Sequence, residues 1–133
     1  MATFHVELVS PEKLLFAGEA ESATVPSVDG EMTVLAAHAP LMAVLKPGVV
    51  QIRDASQSLR RLFVRGGFLD VNPSGLTVLA EYAIPVEDID AVSVDSDIRD
   101  AEEDLRDAKT FEDKQAASDR LVQLRDLRAA ATR

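Results

Sequence analysis

Through residues 4–81 the apolar and polar positions alternate with a period of two: Phe4, Val6 and Leu8 are interleaved with His5 and Glu7, and Val50 and Ile52 with Gln51 and Arg53. Successive strand side chains point to opposite faces, so this alternation predicts short, half-buried β-strands. Turn signals punctuate the pattern at Ala17-Gly18-Glu19, Ser27-Val28-Asp29-Gly30, Lys46-Pro47-Gly48, Arg65-Gly66-Gly67 and Asn72-Pro73-Ser74-Gly75. Such close spacing favours an all-β sandwich or barrel. Asn72-Pro73-Ser74-Gly75 is the strongest of them, because proline presets φ at the second position and glycine suits the exit. It is expected to join a strand at 67–71 to one at 76–81.

After Pro85 the texture changes, and no glycine occurs through residue 133. Ile98, Ala101, Leu105 and Ala108 recur at spacings of three, four and three, which sets them on one stripe of a helix. Ala117, Leu121, Leu124 and Leu127 form a second stripe. Between them, Thr110-Phe111-Glu112-Asp113 resembles a capping box with Asp in the usual Glu position. The first helix therefore ends near Ala108 and a new one starts at Thr110. Residues 91–96, Ala-Val-Ser-Val-Asp-Ser, are poor helix formers and are expected to be a hinge or frayed turn. The pattern predicts an N-terminal all-β sandwich, residues 1–85, followed by a C-terminal two-helix antiparallel hairpin, residues 86–133.

Composition narrows the partners. With 133 residues the chain can bury roughly two thirds of its unfolded surface. Apolar residues make up 47% but aromatics only 5%, with no Trp, so the core must be aliphatic and offers little stacking surface for bases or sugars. A formal net charge of −9 repels phosphate backbones and anionic headgroups, which argues against nucleic acid and against direct insertion into lipid. Without cysteine there is neither a disulfide framework nor a thiolate metal site. The start of the chain carries no signal-peptide pattern and no window approaches 18 uninterrupted apolar residues, so a soluble protein is expected.

Charge divides the hairpin. Residues 87–107 hold ten acids and two bases, a net of −8, whereas residues 108–133 hold four acids and six bases, a net of +2. Arg120, Arg125 and Arg128 on the basic helix could face an acidic partner or simply a solvated exterior. Opposite signs also favour the two helices pairing with each other.

Catalytic candidates are few. Glu31 and His38 are near turns and near one another in sequence, but the chain has no Gly-x-Ser-x-Gly elbow, no His-x-x-x-His pair and no phosphate-cradling loop. His5 lies in an alternating strand far along the chain from His38 and reads as an exposed strand residue rather than a metal ligand. No cofactor or metal is implied. Gly66-Gly67 could form an anion nest, but glycine pairs inside strand patterns mark bulges or close backbone approaches, and a bulge is the expectation. In His38-Ala39-Pro40-Leu41, proline removes a donor and disfavours helix before it, so a loop or edge segment presents His38 beside the apolar Leu41-Met42. Such a juxtaposition suits a protein contact or a loop histidine over the core.

The ordered set Leu8-Val9-Ser10-Pro11-Glu12, Gly30-Glu31 with Val34-Leu35, His38-Ala39-Pro40-Leu41, Leu45-Lys46-Pro47-Gly48, Gly66-Gly67-Phe68-Leu69-Asp70-Val71 and Glu87-Asp88-Ile89-Asp90 resembles the epsilon subunit of bacterial rotary ATP synthases over almost the whole chain. Ala36-Ala37 departs from the family's usual Pro-Gly ahead of the histidine. The resemblance implies a non-catalytic rotor subunit at the cytoplasmic face of the bacterial plasma membrane, joined to the gamma subunit and resting on the polar loops of the c ring. Glu31 and His38 match the family segment that faces the c ring, and Ser10 a position close to gamma. Proton-driven torque would pass through the chain, while the catalytic sites lie on other subunits.

In many members the hairpin lies folded or extends along gamma into the alpha/beta head, where basic residues of the last helix meet acidic ones on beta and block ATP hydrolysis. The resemblance assigns that contact to Arg120, Arg125 and Arg128. Some members bind ATP through Ile/Leu-Asp-x-x-Arg-Ala. This chain reads Ile89-Asp90-Ala91-Val92-Ser93-Val94, and Ile84 stands where binders carry an upstream acid, so tight ATP binding is not expected. Two readings from other classes compete: a free-standing β-sandwich that binds a ligand or performs acid–base chemistry with Glu31 and His38, and an acidic hairpin acting as an adaptor for basic proteins.

Overall fold

The computed structural model describes residues 2–131. The chain divides into two compact units, one running to Val86 and the other from Glu87 onward.

The first unit contains β1 (Phe4–Val9), β2 (Leu14–Ser27), β3 (Gly30–Leu35), β4 (Leu41–Val44), β5 (Gly48–Asp54), β6 (Leu59–Asn72) and β7 (Gly75–Pro85). Five strands close on themselves in the order β1-β7-β6-β5-β2, with β2 pairing back to β1. β3 attaches to β2 and β4 to β6. Two strands of 14 residues make this closure possible by serving both layers. The first part of β2 pairs with β1, and its later part pairs with β5 and β3. Likewise β6 starts against β5 and ends against β4. The result is a flattened barrel, a two-layered β-sandwich.

Between the layers lie Val6, Leu8, Val25, Val50, Ile52, Val64, Leu69 and Val78, all fully buried. Every buried member of this cluster is Ala, Val, Leu or Ile, with Phe4 and Phe16 only partly buried against it. That follows from the low aromatic content.

The Asn72-Pro73-Ser74-Gly75 hairpin forms as expected. Asn72 pairs with Gly75, the Ser74 N–H donates to Asn72 Oδ1 at 2.8 Å, and Gly75 has φ +131°. Two other expected turns are strand interiors. Gly18 lies within β2 opposite Val6, and the β1–β2 reversal occurs earlier, where the Ser10 N–H donates to the Lys13 carbonyl at 2.9 Å. Gly66 and Gly67 lie within β6 at φ +73° and +94°. The register across them is continuous, from Arg65 opposite Tyr82 to Gly67 opposite Ala80, so no bulge is present. Their role is the close-approach one: a Cβ at Gly67 would strike the Leu79 carbonyl.

A single 3-10 turn, Val86–Asp88, spans the boundary, and the second unit continues with α1 (Ala91–Asp107) and α2 (Phe111–Ala131). The expected hinge at 91–96 is instead the first turn and a half of α1. Asp90 caps it, accepting from the Ser93 N–H at 3.1 Å, and Val94 is buried at the head of the stripe that continues through Ile98, Ala101 and Leu105. Cap and burial together outweigh the weak propensity of the segment. Thr110 caps α2 as expected, its Oγ1 accepting from the Asp113 N–H at 3.0 Å. On α2, Ala117 and Leu121 are buried and Leu124 and Leu127 half-buried.

Candidate docking surfaces

Glu31 and His38 are not brought together. β3 pairs only with β2 and is therefore an edge strand, with Glu31, Thr33 and Leu35 exposed in alternation. Glu31 stands at its start, beside the turn in which Ser27 Oγ donates to the Gly30 carbonyl at 2.6 Å. His38 follows its far end, where its N–H donates to the Leu35 carbonyl at 3.2 Å. Four strand steps separate Glu31 from Leu35, about 13 Å. No proton can pass directly between two such groups, so they form no acid–base pair.

His38 is held by its own loop. Its Nδ1 lies 2.7 Å from the Ala39 carbonyl, and because a carbonyl can only accept, Nδ1 is the donor in this contact. Ala37, just before it, has φ +65°, the left-handed region that favours glycine. This is the position at which the Pro-Gly pattern places its glycine, so Ala37 holds a backbone conformation that glycine adopts more readily.

The structure adds a neighbour that the linear distance between the histidines concealed. His5 and His38 both line a cavity of about 350 Å³ together with Glu19, Asn72 and Ser74. His5 is already flanked by acids, with Nδ1 3.6 Å from Glu19 Oε2 and Nε2 3.4 Å from Glu7 Oε2. Among the described residues no group of three or more His, Cys, Asp or Glu is arranged to hold a metal ion.

A different surface lies around Ser10. Ser10 lines an apolar groove of about 360 Å³ with Val9, Pro11, Phe68, Leu79 and Glu81. Registers show why it is apolar: Val44 is opposite Phe68, Phe68 opposite Leu79, and Leu79 opposite Val9. These four residues make one continuous row across β4, β6, β7 and β1 on the face turned away from the core. Val44 is 56% exposed and Phe68 and Leu79 are 38% exposed each. Sequence reasoning missed this row, although the consecutive apolar pairs Phe68-Leu69 and Val78-Leu79 carry the signal of strands with two faces to cover.

The basic residues of α2 divide. Arg128 Nε donates to Asp95 Oδ1 at 2.8 Å and Arg125 Nη2 to Glu102 Oε2 at 3.3 Å, both across the hairpin. Arg120 is exposed and makes no ion pair among the described residues. Opposite charges on the two helices therefore do pair, as their balance predicts. Neither helix is long and apolar enough to cross a membrane.

Residues 3–86 match the family model for the ATP synthase delta/epsilon chain β-sandwich domain. The chain is 43% identical to the ATP synthase epsilon chain of Parvibaculum lavamentivorans, covering 92% of each chain, and 46% identical to that of Mesorhizobium japonicum, covering 96% of this chain and 94% of the relative. Among solved structures, it resembles a chain of the Euglena gracilis mitochondrial ATP synthase OSCP/F1/c-ring assembly, with a TM-score of 0.83, 22% identity and coverage of 98% and 82%. A chain of the Tetrahymena thermophila central stalk and c-ring structure gives a TM-score of 0.64 at 20% identity, covering 98% and 97%. The family model spans more than half of the chain and near-full-length identity to these relatives exceeds 40%, so the chain belongs to the ATP synthase epsilon-chain family.

Proposed function

We propose that the chain is a non-catalytic central-stalk subunit that transmits rotation of the c ring to gamma. The observation that carries this reading is the exposed row Val44, Phe68, Leu79 and Val9 ending at Ser10. An apolar strip of this kind on an otherwise acidic protein needs a protein partner to cover it, and gamma is the occupant that the family reading supplies. The β3 edge, with Glu31 and His38 at its two ends, is the second contact and rests on the polar loops of the c ring. Two charged or polar groups spread along an edge suit a set of repeated loops better than one small ligand. Docking on protein loops also lets a negative chain sit at the cytoplasmic face of the plasma membrane without touching lipid.

The hairpin is the regulatory element of this proposal, with Arg120, Arg125 and Arg128 directed at an acidic surface of beta in the catalytic head. ATP binding by the isolated chain is not part of it. Asp90, the carboxylate of the binding motif, caps α1 through the Ser93 N–H, and Ser93 itself replaces the arginine that would grip phosphate. Replacing Glu31 and His38 by alanine in the assembled enzyme tests the c-ring contact. Proton pumping per ATP hydrolysed should fall while the sandwich stays folded; unchanged pumping would remove the contact.

A further inference from the structure

The two arginines assigned to an acidic partner already have acidic partners within the chain. Asp95 and Glu102 are seven residues apart on α1, two turns along one face, and Arg125 and Arg128 are one turn apart on α2. The antiparallel hairpin sets Asp95 against Arg128 and Glu102 against Arg125. These residues flank the apolar stripes and do not belong to them, so the pairs close the hairpin from the side.

We propose that Asp95 and Glu102 stand in for the acidic partner surface and withhold Arg125 and Arg128 from it while the hairpin is closed. The inference rests on the reading of the α2 arginines as an inhibitory contact. Each pair is half-exposed, with side-chain exposures of 34% and 44% for Arg128 and Asp95 and 58% and 41% for Arg125 and Glu102. Exposed pairs of this kind are individually weak and screened by salt. The latch therefore biases the hairpin without locking it. An acidic surface that offers both arginines equivalent pairs can exchange for Asp95 and Glu102, because one set of charge-assisted bonds replaces another. Arg120, exposed in the closed hairpin, makes the first contact. The strongly acidic α1 is then a competitor for the same arginines that α2 would lend to beta, and weakening it strengthens inhibition.

The chain has no cysteine, so spin labels at S96C and A129C, exposed positions near the Asp95–Arg128 pair, report the separation of the helices in the full-length protein. The unsubstituted latch should give one short separation at low salt. In D95N/E102Q a longer population should grow several-fold, and the charge-exchanged pair D95R/R128D should restore the short one relative to D95R alone. Identical separations with and without the two acids, at low and high salt, would overturn the latch. In the assembled ATP synthase, D95N/E102Q should lower ATP hydrolysis by two- to tenfold. No change there, in an enzyme whose hydrolysis rises with R120E/R125E/R128E, would overturn the withholding. If the triple charge reversal also has no effect, the inhibitory reading fails, and the label separations alone decide the latch.

Discussion

Glu31 and His38 stand at opposite ends of the edge strand β3 and share a border of the sandwich instead of a pocket. Both are surface residues whose partners within the chain are few, so their removal should cost little stability. Glu31→Ala and His38→Ala are each expected to change unfolding free energy by no more than about 0.5 kcal/mol. The coupling ratio of the assembled enzyme should nonetheless fall. Chemical denaturation of the isolated chain beside proton pumping by the complex separates the two effects.

The row Val44, Phe68, Leu79 and Val9 predicts the reverse of a core defect. Phe68→Glu or Leu79→Glu places a charge on the outward face, where each side chain is 38% exposed, and should leave the circular dichroism spectrum intact. Association with gamma should weaken by about 100-fold or more, because a carboxylate buried there loses water without gaining a partner. Equal affinity for gamma would show that the strip faces something else.

Ala37 offers a test of backbone strain beside His38. At φ +65° an L-residue pays about 1–2 kcal/mol, of which glycine's greater freedom in the unfolded chain takes back part. Ala37→Gly should therefore stabilise the sandwich by about 0.5–1 kcal/mol, read as a rise in the midpoint of thermal unfolding. A lower midpoint would mean that the strain is absent.

Gly67 predicts the opposite outcome for the mirror substitution. Gly67→Ala drives a methyl group into the Leu79 carbonyl at φ +94°, so a loss of about 3 kcal/mol or more is expected, or failure to recover folded protein. Full stability would contradict the close approach of β6 and β7.

Local signals account for what the chain disclosed in advance. Period-two alternation placed Val6, Leu8, Val50 and Ile52 in the core, and Asn72-Pro73-Ser74-Gly75 and Thr110 acted where a turn and a cap were expected, because such chemistry is settled within four residues. Long strands were less legible. Gly18 read as a turn and Gly66-Gly67 as a turn signal or bulge, since glycine that ends or kinks a strand and glycine that lets two strands approach are the same letter; only the partner strand decides. Residues 91–96 read as a hinge because propensity is counted before the Asp90 cap and the burial of Val94 are known. Ser10, Glu31 and His38 were singled out as expected contact residues only through family resemblance. Their neighbours were hidden, for the row through Phe68 and Leu79 joins four strands, and the meeting of His5 with His38 on one cavity depends on closure of the barrel.

The most direct measurement mixes the purified full-length chain with purified gamma subunit and weighs the product by native mass spectrometry. The two chains should form a one-to-one complex that survives dilution to nanomolar concentration and that Phe68→Glu disperses. A folded chain that stays monomeric beside gamma at micromolar concentration would contradict it.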